Sequence, residues 1–292
     1  MELGKLGVWT WLDGMSGPET ADFARQVESL GYSALWVPEA VGRDPFTTLG
    51  FLAAQTERLI FATGIANIYA RDPMTMHAIH KTLADLSGGR FVLGLGVSHA
   101  PLVTGVRGHE YKRPVATMRS YLEAMADSLY QGHEPAEEAP IVLAALRPRM
   151  LGLAAEKARG AHPYFVPPEH TARARELLGR GQWLCTEQMV LRESSPSRAR
   201  EIARGHMAVY VSLPNYQNNL KWLGFEDADF QDGGSDRLVD AIVAWGDEKA
   251  IQARIQQHWD AGADHVCIQP LQAEREAGPD RALLEALAPA GS

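Results

Sequence analysis

The sequence predicts an α/β fold, a closed (β/α)8 TIM barrel with an insertion before its last strand, and three observations carry that prediction. First, one short unit recurs: an amphipathic helical stretch, a glycine, then an apolar run that reads as a strand. It appears at 23–37 through Gly31, at 83–93 through Gly88 and Gly89, at 153–165 through Gly160, and at 255–268 through Gly262. Each glycine falls where a helix takes a left-handed C-terminal residue. Each following run is apolar on both faces, as strands of a buried parallel sheet are. Second, eight strand-like runs follow one another along the chain. Third, 292 residues with 46% hydrophobic content are enough for one barrel domain, which typically needs about 250. A doubly wound open sheet is the competing topology. It normally carries a glycine fingerprint after its first strand, where this chain reads Leu12-Asp13-Gly14-Met15.

In order, strands are expected at 6–11, 34–38, 59–65, 91–97, 141–146, 161–166, 184–191 and 265–269, with periodic helices such as 115–130 between most of them. The repeat breaks once. Residues 194–264 separate the last two strands, about twice the length that a single crossover helix requires. An insertion is expected there, within a single domain of residues 1–292. Its segments Tyr210-Val211-Ser212-Leu213-Pro214-Asn215-Tyr216 and Trp222-Leu223-Gly224-Phe225 are apolar enough to pack. An active-site wall, a lid, a subunit contact or a helical pair covering the barrel's side all fit this pattern.

A formal net charge of −8 without a cluster of Lys and Arg argues against a nucleic-acid partner. Cys185 and Cys267 lie far apart, the second within an apolar strand, which suits buried thiols of a reducing compartment better than a disulfide. No apolar run approaches the roughly 18 residues of a membrane span. The start Met1-Glu2-Leu3-Gly4-Lys5 lacks the pattern of a secretory leader. The expectation is a cytoplasmic protein without membrane or nucleic-acid partners, forming a homodimer and acting on a small-molecule substrate.

In such a barrel the chemistry sits just past the strands' C-terminal ends. Those positions hold Trp9 and Trp11, Glu39, residues 64–67, Ser98 and His99, Arg147 and Arg149, and His162 with Tyr164. Glu39 closes the second strand, where a carboxylate has little structural reason to sit unless paired or catalytic. A surface carboxylate or a helix cap is the alternative. His99 follows Gly94-Leu95-Gly96-Val97-Ser98, whose glycines permit close approach of a flat or bulky ligand; a neutral surface histidine is the other reading. A dinucleotide motif fails because His99 occupies its third glycine position. Arg147-Pro148-Arg149 opens a helix at 150–158, so arginine and free backbone N–H groups meet at one helix start. That suits a phosphate or carboxylate, against the alternative of two solvated arginines. His77 and His80 share a helical face, but no acidic or cysteine constellation joins them, and no metal site is expected. Trp9 and Trp11 are expected to divide between barrel interior and helix layer, at least one of them being core packing.

The stretches Leu6-Gly7-Val8-Trp9, Ala34-Leu35-Trp36-Val37-Pro38-Glu39, Thr63-Gly64-Ile65-Ala66-Asn67 and Ser87-Gly88-Gly89-Arg90-Phe91-Val92-Leu93-Gly94-Leu95-Gly96 together resemble the luciferase-like monooxygenase superfamily. The closer resemblance is to its deazaflavin-dependent branch, which uses coenzyme F-420 (8-hydroxy-5-deazaflavin). It covers nearly the whole chain and is specific to the superfamily, not to a substrate. It implies a barrel that binds a flavin or deazaflavin at the strands' C-terminal ends, with an insertion before the last strand. Gly64 and Ile65 match the family's bulge after the third strand, where a non-prolyl cis peptide backs the cofactor's middle ring; Trp9, Ala66, Asn67 and Tyr164 join them as cofactor-binding positions. Ser98 and His99 match the position after the fourth strand. Leu146, Arg147 and Met150 match the turn after the fifth, and together these hold the ribityl chain and phosphate in relatives. Glu39 matches the place where some relatives carry an Asp-His pair, and the missing histidine departs from the sugar-phosphate dehydrogenases. The implied activity is hydride transfer between F-420 and a small organic substrate, with Glu39 or His99 as the catalytic group that supplies or takes the proton. An FMN-dependent monooxygenase and a catalytically inactive flavin-binding barrel are the alternatives.

Overall fold

Prolines and short polar caps set where the helices begin, and the strands fall between them. The structure, a computed structural model, describes residues 1–273 and 278–289. Its elements run β1 (Leu6–Trp9), α1 (Gly17–Ser29), β2 (Ala34–Val37), α2 (Pro45–Ala53), β3 (Ile60–Thr63), β4 (Ala66–Asn67), α3 (Pro73–Leu86), β5 (Phe91–Gly96), a π-helical stretch (Pro101–Val106), α4 (Pro114–Ala126), β6 (Ile141–Leu143) and α5 (Pro148–Lys157). Then come β7 (Gly160–Ala161), α6 (Pro168–Leu178), β8 (Trp183–Arg192), α7 (Pro196–Val211), α8 (Pro214–Trp222), a 3-10 stretch (Asp227–Gly233), α9 (Asp236–Ile242), β9 (Val243–Gly246), α10 (Glu248–Asp260), β10 (His265–Pro270) and α11 (Arg281–Ala286). Ser16 forms a capping box with Glu19 before α1, and Asp44, Asp72 and Asp247 accept from the first turns of α2, α3 and α10. Such caps satisfy donors that a helix start otherwise leaves unpaired.

The strands β1, β2, β3, β5, β6, β7, β8 and β10 follow one another side by side, and β10 pairs with both β1 and β8. That closes the barrel. Its interior is filled by Trp9, Trp36, Ala62, Val92, Val142, Cys185 and Cys267, and both cysteines are free. A larger apolar layer, including Phe23, Leu35, Leu49, Phe61 and Val266, lies between sheet and helices. Three of the four predicted joints use a left-handed glycine: Gly31, Gly88 and Gly262 have φ of 86°, 62° and 103°. Gly160 serves differently, since a Cβ there would meet the Trp183 carbonyl oxygen at 2.0 Å; the strands β7 and β8 need its bare backbone.

The sixth strand is much shorter than expected. Beyond Pro163, which has no N–H to give a ladder, the chain leaves the sheet, and Phe165 takes a left-handed φ of 60°. The vacated place beside β8 is filled by β9, which pairs Met189 through Arg192 with Val243 through Gly246. The expected insertion is therefore α7 to β9, whereas α10 is the ordinary crossover helix before β10. It carries its own apolar cluster of Met207, Leu220, Leu238 and Val243, packed onto Met189, Leu191 and Phe165 of the barrel. Among the described residues no helix is long and apolar enough to cross a membrane.

Buried histidines tie the layers together. His265 Nδ1 bonds the Gly4 carbonyl at 2.9 Å while its Nε2 accepts from Trp36 Nε1 at 3.0 Å. His258 bonds Thr171 at 2.8 Å and Gln188 at 2.9 Å, linking α10 to α6 and β8. Burial pushes His265 down to about 4 and His258 to about 3. Both are neutral in the folded protein, so the unfolded chain binds more protons below the ordinary histidine value near 6.5. Stability should fall as pH drops from about 6.5 toward 4, and His258→Gln should flatten part of that slope in thermal melts. A midpoint that stays level over the same range would contradict buried neutral imidazoles.

Candidate active site

One extra residue in the third strand shapes the barrel's upper rim. β3 pairs Ala62 with Val92, and β4 pairs Ala66 with Leu95; four steps on one strand thus match three on its neighbour, which is a β-bulge. The Gly64–Ile65 peptide inside it is cis. The bulge is held from several sides. Gly64 N–H donates to the Val37 carbonyl at 2.9 Å and Glu39 N–H to the Ile65 carbonyl at 3.2 Å, while Trp9 Nε1–H donates to the Gly64 carbonyl at 2.8 Å. Room for it comes from β5: a Cβ on Gly94 would lie 1.9 Å from the Thr63 carbonyl oxygen, and one on Gly96 2.4 Å from Ile65 Cδ1. The two glycines, expected to admit a ligand, instead admit the neighbouring strand.

Above the bulge opens a cavity of about 400 Å³. Trp9 and Trp11 both line it, their rings 5.6 Å apart and edge to face. The expectation that they divide between two layers fails because residues two apart on an extended chain share a face. Tyr164 stands 4.9 Å from Trp9, centroid to centroid. The far wall comes from the insertion, through Tyr210, Leu213, Asn215 and Tyr216. Ring packing joins it to the barrel: Tyr210 lies 5.1 Å from Tyr164, centroid to centroid, and the Tyr164 hydroxyl donates to Gln269 Oε1 at 3.0 Å.

The polar groups are few. Glu39 accepts from Asn67 N–H at 2.7 Å and pairs with Arg71 at 2.7 Å, and Arg71 also pairs with Asp44. Its carboxylate is thus engaged in holding β4 and the loop behind it, which counts against a mobile proton. His99 bonds Asn215 through Nδ1 at 3.0 Å, and burial holds its imidazole below the usual value. His162 stacks on Trp36 at 4.5 Å and bonds the Cys185 carbonyl through Nδ1 at 2.8 Å. Burial pushes it down to about 4, and its Nε2 has no partner among the described residues. Deeper in the barrel Glu187 accepts from Phe165 N–H at 3.1 Å, and burial pushes its carboxyl up to about 8.

Of the predicted residues, Trp9, Glu39, Gly64, Ile65, Ser98, His99, Leu146 and Tyr164 line this one cavity. Ala66, Asn67 and Met150 do not. Ala66 and Met150 pack into the layer beneath the helices, and Asn67 is buried, bonded to Tyr69 N–H and Glu39. Arg147 caps α5 from an exposed position just past Leu146, and it forms no ion pair among the described residues. Asn215 and Tyr216 were readable only as packing residues; the one signal was Pro214, which starts a helix whose first turn carries an amide and a phenol.

Compared with known proteins, residues 4–265 match the family described as luciferase-like monooxygenase. A relative from Mycobacterium tuberculosis named "Putative coenzyme F420-dependent oxidoreductase" is 29% identical over 213 residues, 62% of this chain and 60% of the relative. The chain therefore spans less than two thirds of that relative's length. Among solved structures, the coenzyme F420-dependent tetrahydromethanopterin reductase from Methanopyrus kandleri has a TM-score of 0.74 at 17% identity, covering 97% of each chain. The oxygenating constituent of 3,6-diketocamphane monooxygenase from Pseudomonas putida, a type II Baeyer-Villiger monooxygenase in complex with FMN, has a TM-score of 0.72 at 15% identity, covering 97% of this chain and 96% of that one. At such identities the structures establish the fold alone.

The bulge gives a stability test. Gly96→Ala presses on a side chain that can shift and should cost about 1–3 kcal/mol, as overpacked sites do. Gly94→Ala presses on backbone, and should cost more or prevent folding. Denaturant melts of the two variants decide it; equal, small effects would contradict the packing described.

Proposed function

This chain belongs to the luciferase-like monooxygenase family, and from that membership we propose that it is an F-420-dependent oxidoreductase that transfers hydride between the deazaflavin and a small organic substrate. The observation that carries the reading is the bulge at Gly64 and Ile65, which turns an apolar face into a cavity walled by aromatic rings. The name of the mycobacterial relative supports the deazaflavin over FMN.

The residues fit a flat heterocycle. His162 Nε2 is buried at the level of Gly64 without a partner among the described residues, and a ring N–H or hydroxyl would satisfy it. Ile65, Val97 and Ala144 offer apolar contact to the ring, while Ser98 and Leu146 lead toward Arg147 and the start of α5. A helix start with a free arginine suits the cofactor's phosphate end. Bound there, the deazaflavin supplies a two-electron carrier. The protein's share is to hold the ring against the bulge and to exclude water with the tyrosines of α7 and α8. It also places one group able to hold a proton. With Glu39 tied to Arg71, that group is His99, neutral near pH 7 and able to accept.

A second reading, an FMN-dependent monooxygenase, is favoured by the likeness of fold to the FMN-bound oxygenase. Titration of the purified protein with F-420 and with FMN, followed by fluorescence, separates the two. F-420 should bind at least about ten-fold tighter, and Arg147→Ala should weaken it about ten-fold or more, the worth of a hydrogen bond to a charged group. Tighter FMN binding would overturn the assignment in favour of the oxygenase, and unchanged F-420 affinity in Arg147→Ala would remove the phosphate site.

A further inference from the structure

We propose that Asn215, from the first turn of α8, makes His99 the seat for a neutral hydroxyl group, and that the ligand taken there is an alcohol with an apolar body. The seat rests on this chain's own geometry. Only its pairing with a deazaflavin rests on the function proposed above.

Asn215 Oδ1 lies 3.0 Å from His99 Nδ1. An amide oxygen only accepts, so Nδ1 carries the hydrogen and Nε2 is left with a lone pair. Burial disfavours the imidazolium, the Asn215 bond favours it, and burial wins, so the ring is neutral. The Tyr216 ring lies 5.4 Å from that of His99, centroid to centroid. Burial keeps its phenol protonated. An acceptor nitrogen, flanked by an aromatic ring, thus belongs to the cavity wall.

The surroundings narrow the ligand further. The other titratable groups of the lining are Glu39, already paired with Arg71, His162, held neutral, and the phenols of Tyr164 and Tyr210. No unpaired cation lines the cavity among the described residues, which disfavours a carboxylate or phosphate. Trp11, Val209 and Leu213 offer apolar contact to the rest of the molecule. An alcohol answers the free nitrogen by donating its hydroxyl hydrogen to His99 Nε2. A carbonyl oxygen only accepts, and would leave Nε2 unpaired in a dry site. Asn215 is a positioning residue, acting through the tautomer of His99.

The test is NMR of the full chain with isotope-labelled histidine, using cyclohexanol and cyclohexanone as probes. In the native protein His99 should carry its proton on Nδ1, and cyclohexanol should shift the Nε2 signal and bind about ten-fold tighter than the ketone. Asn215→Leu should release the tautomer, put a proton on Nε2 and swing the preference toward the ketone. Asn215→Asp, which keeps the shape, should raise the His99 titration midpoint by about one unit or more. A native His99 protonated on Nε2, an unchanged preference in folded Asn215→Leu, or no binding of cyclohexanol would each overturn the proposal. Probe binding as expected in a protein that takes no F-420 would leave the seat standing and remove the proposed function instead.

Discussion

The close approach of β3 to β5 is the constraint from which the site follows. Gly94 lets the Thr63 carbonyl lie where a side chain would otherwise be, and the Thr63 hydroxyl locks the contact, donating to the Gly94 carbonyl at 2.7 Å and accepting its N–H at 2.9 Å. With the strand pinned there, its extra residue must be accommodated above, and Ile65 settles over Gly96. The displaced Gly64 carbonyl is then met by Trp9 and the displaced Asn67 N–H by Glu39. A carboxylate at the end of β2 and a tryptophan at the end of β1 are thereby explained as partners of one backbone feature. Unpaired, those backbone groups would be costly at this depth.

The insertion supplies what the eight-fold repeat cannot. Strand six ends early at Pro163, so the upper part of β8 lacks a neighbour until β9 arrives. That pairing fixes α7 and α8 over the open end of the barrel, and the apolar cluster around Met207 and Leu220 keeps them there. The consequence is a cavity whose two walls have different origins. The barrel gives the bulge, Trp9 and His99, and the insertion gives Tyr210, Asn215 and Tyr216. Tyr210 packs against Tyr164, which is held in turn by Gln269, and so stitches them together.

Local chemistry made much of this legible. Helix-glycine-strand joints are set within a few residues, so the barrel and the extra segment before its last strand could be read from the chain, whereas the bulge at Gly64 and Ile65 was legible only through the family resemblance. Features fixed by partners distant in sequence could not. His99 and Asn215 are 116 positions apart, and nothing near either announces the other. The shortness of β7 depends on β9 taking its place, and the role of Gly94 depends on a carbonyl from another strand. Met150 shows the same limit from the other side: it stands in the right turn, but the rotation of α5 points it into the layer beneath the helices. Glu39 was legible as a residue needing a partner, and its partner, Arg71, belongs to a loop that periodicity does not place.

The central claim is that the cavity above the bulge is the seat of a deazaflavin ring. A crystal structure of the protein grown with F-420 tests it most directly. The account predicts the ring in van der Waals contact, about 4 Å or less, with Gly64 and Ile65, and the phosphate end toward Ser98 and the start of α5. A ring bound elsewhere, or one lying across the cavity with Ile65 uncovered, would contradict it.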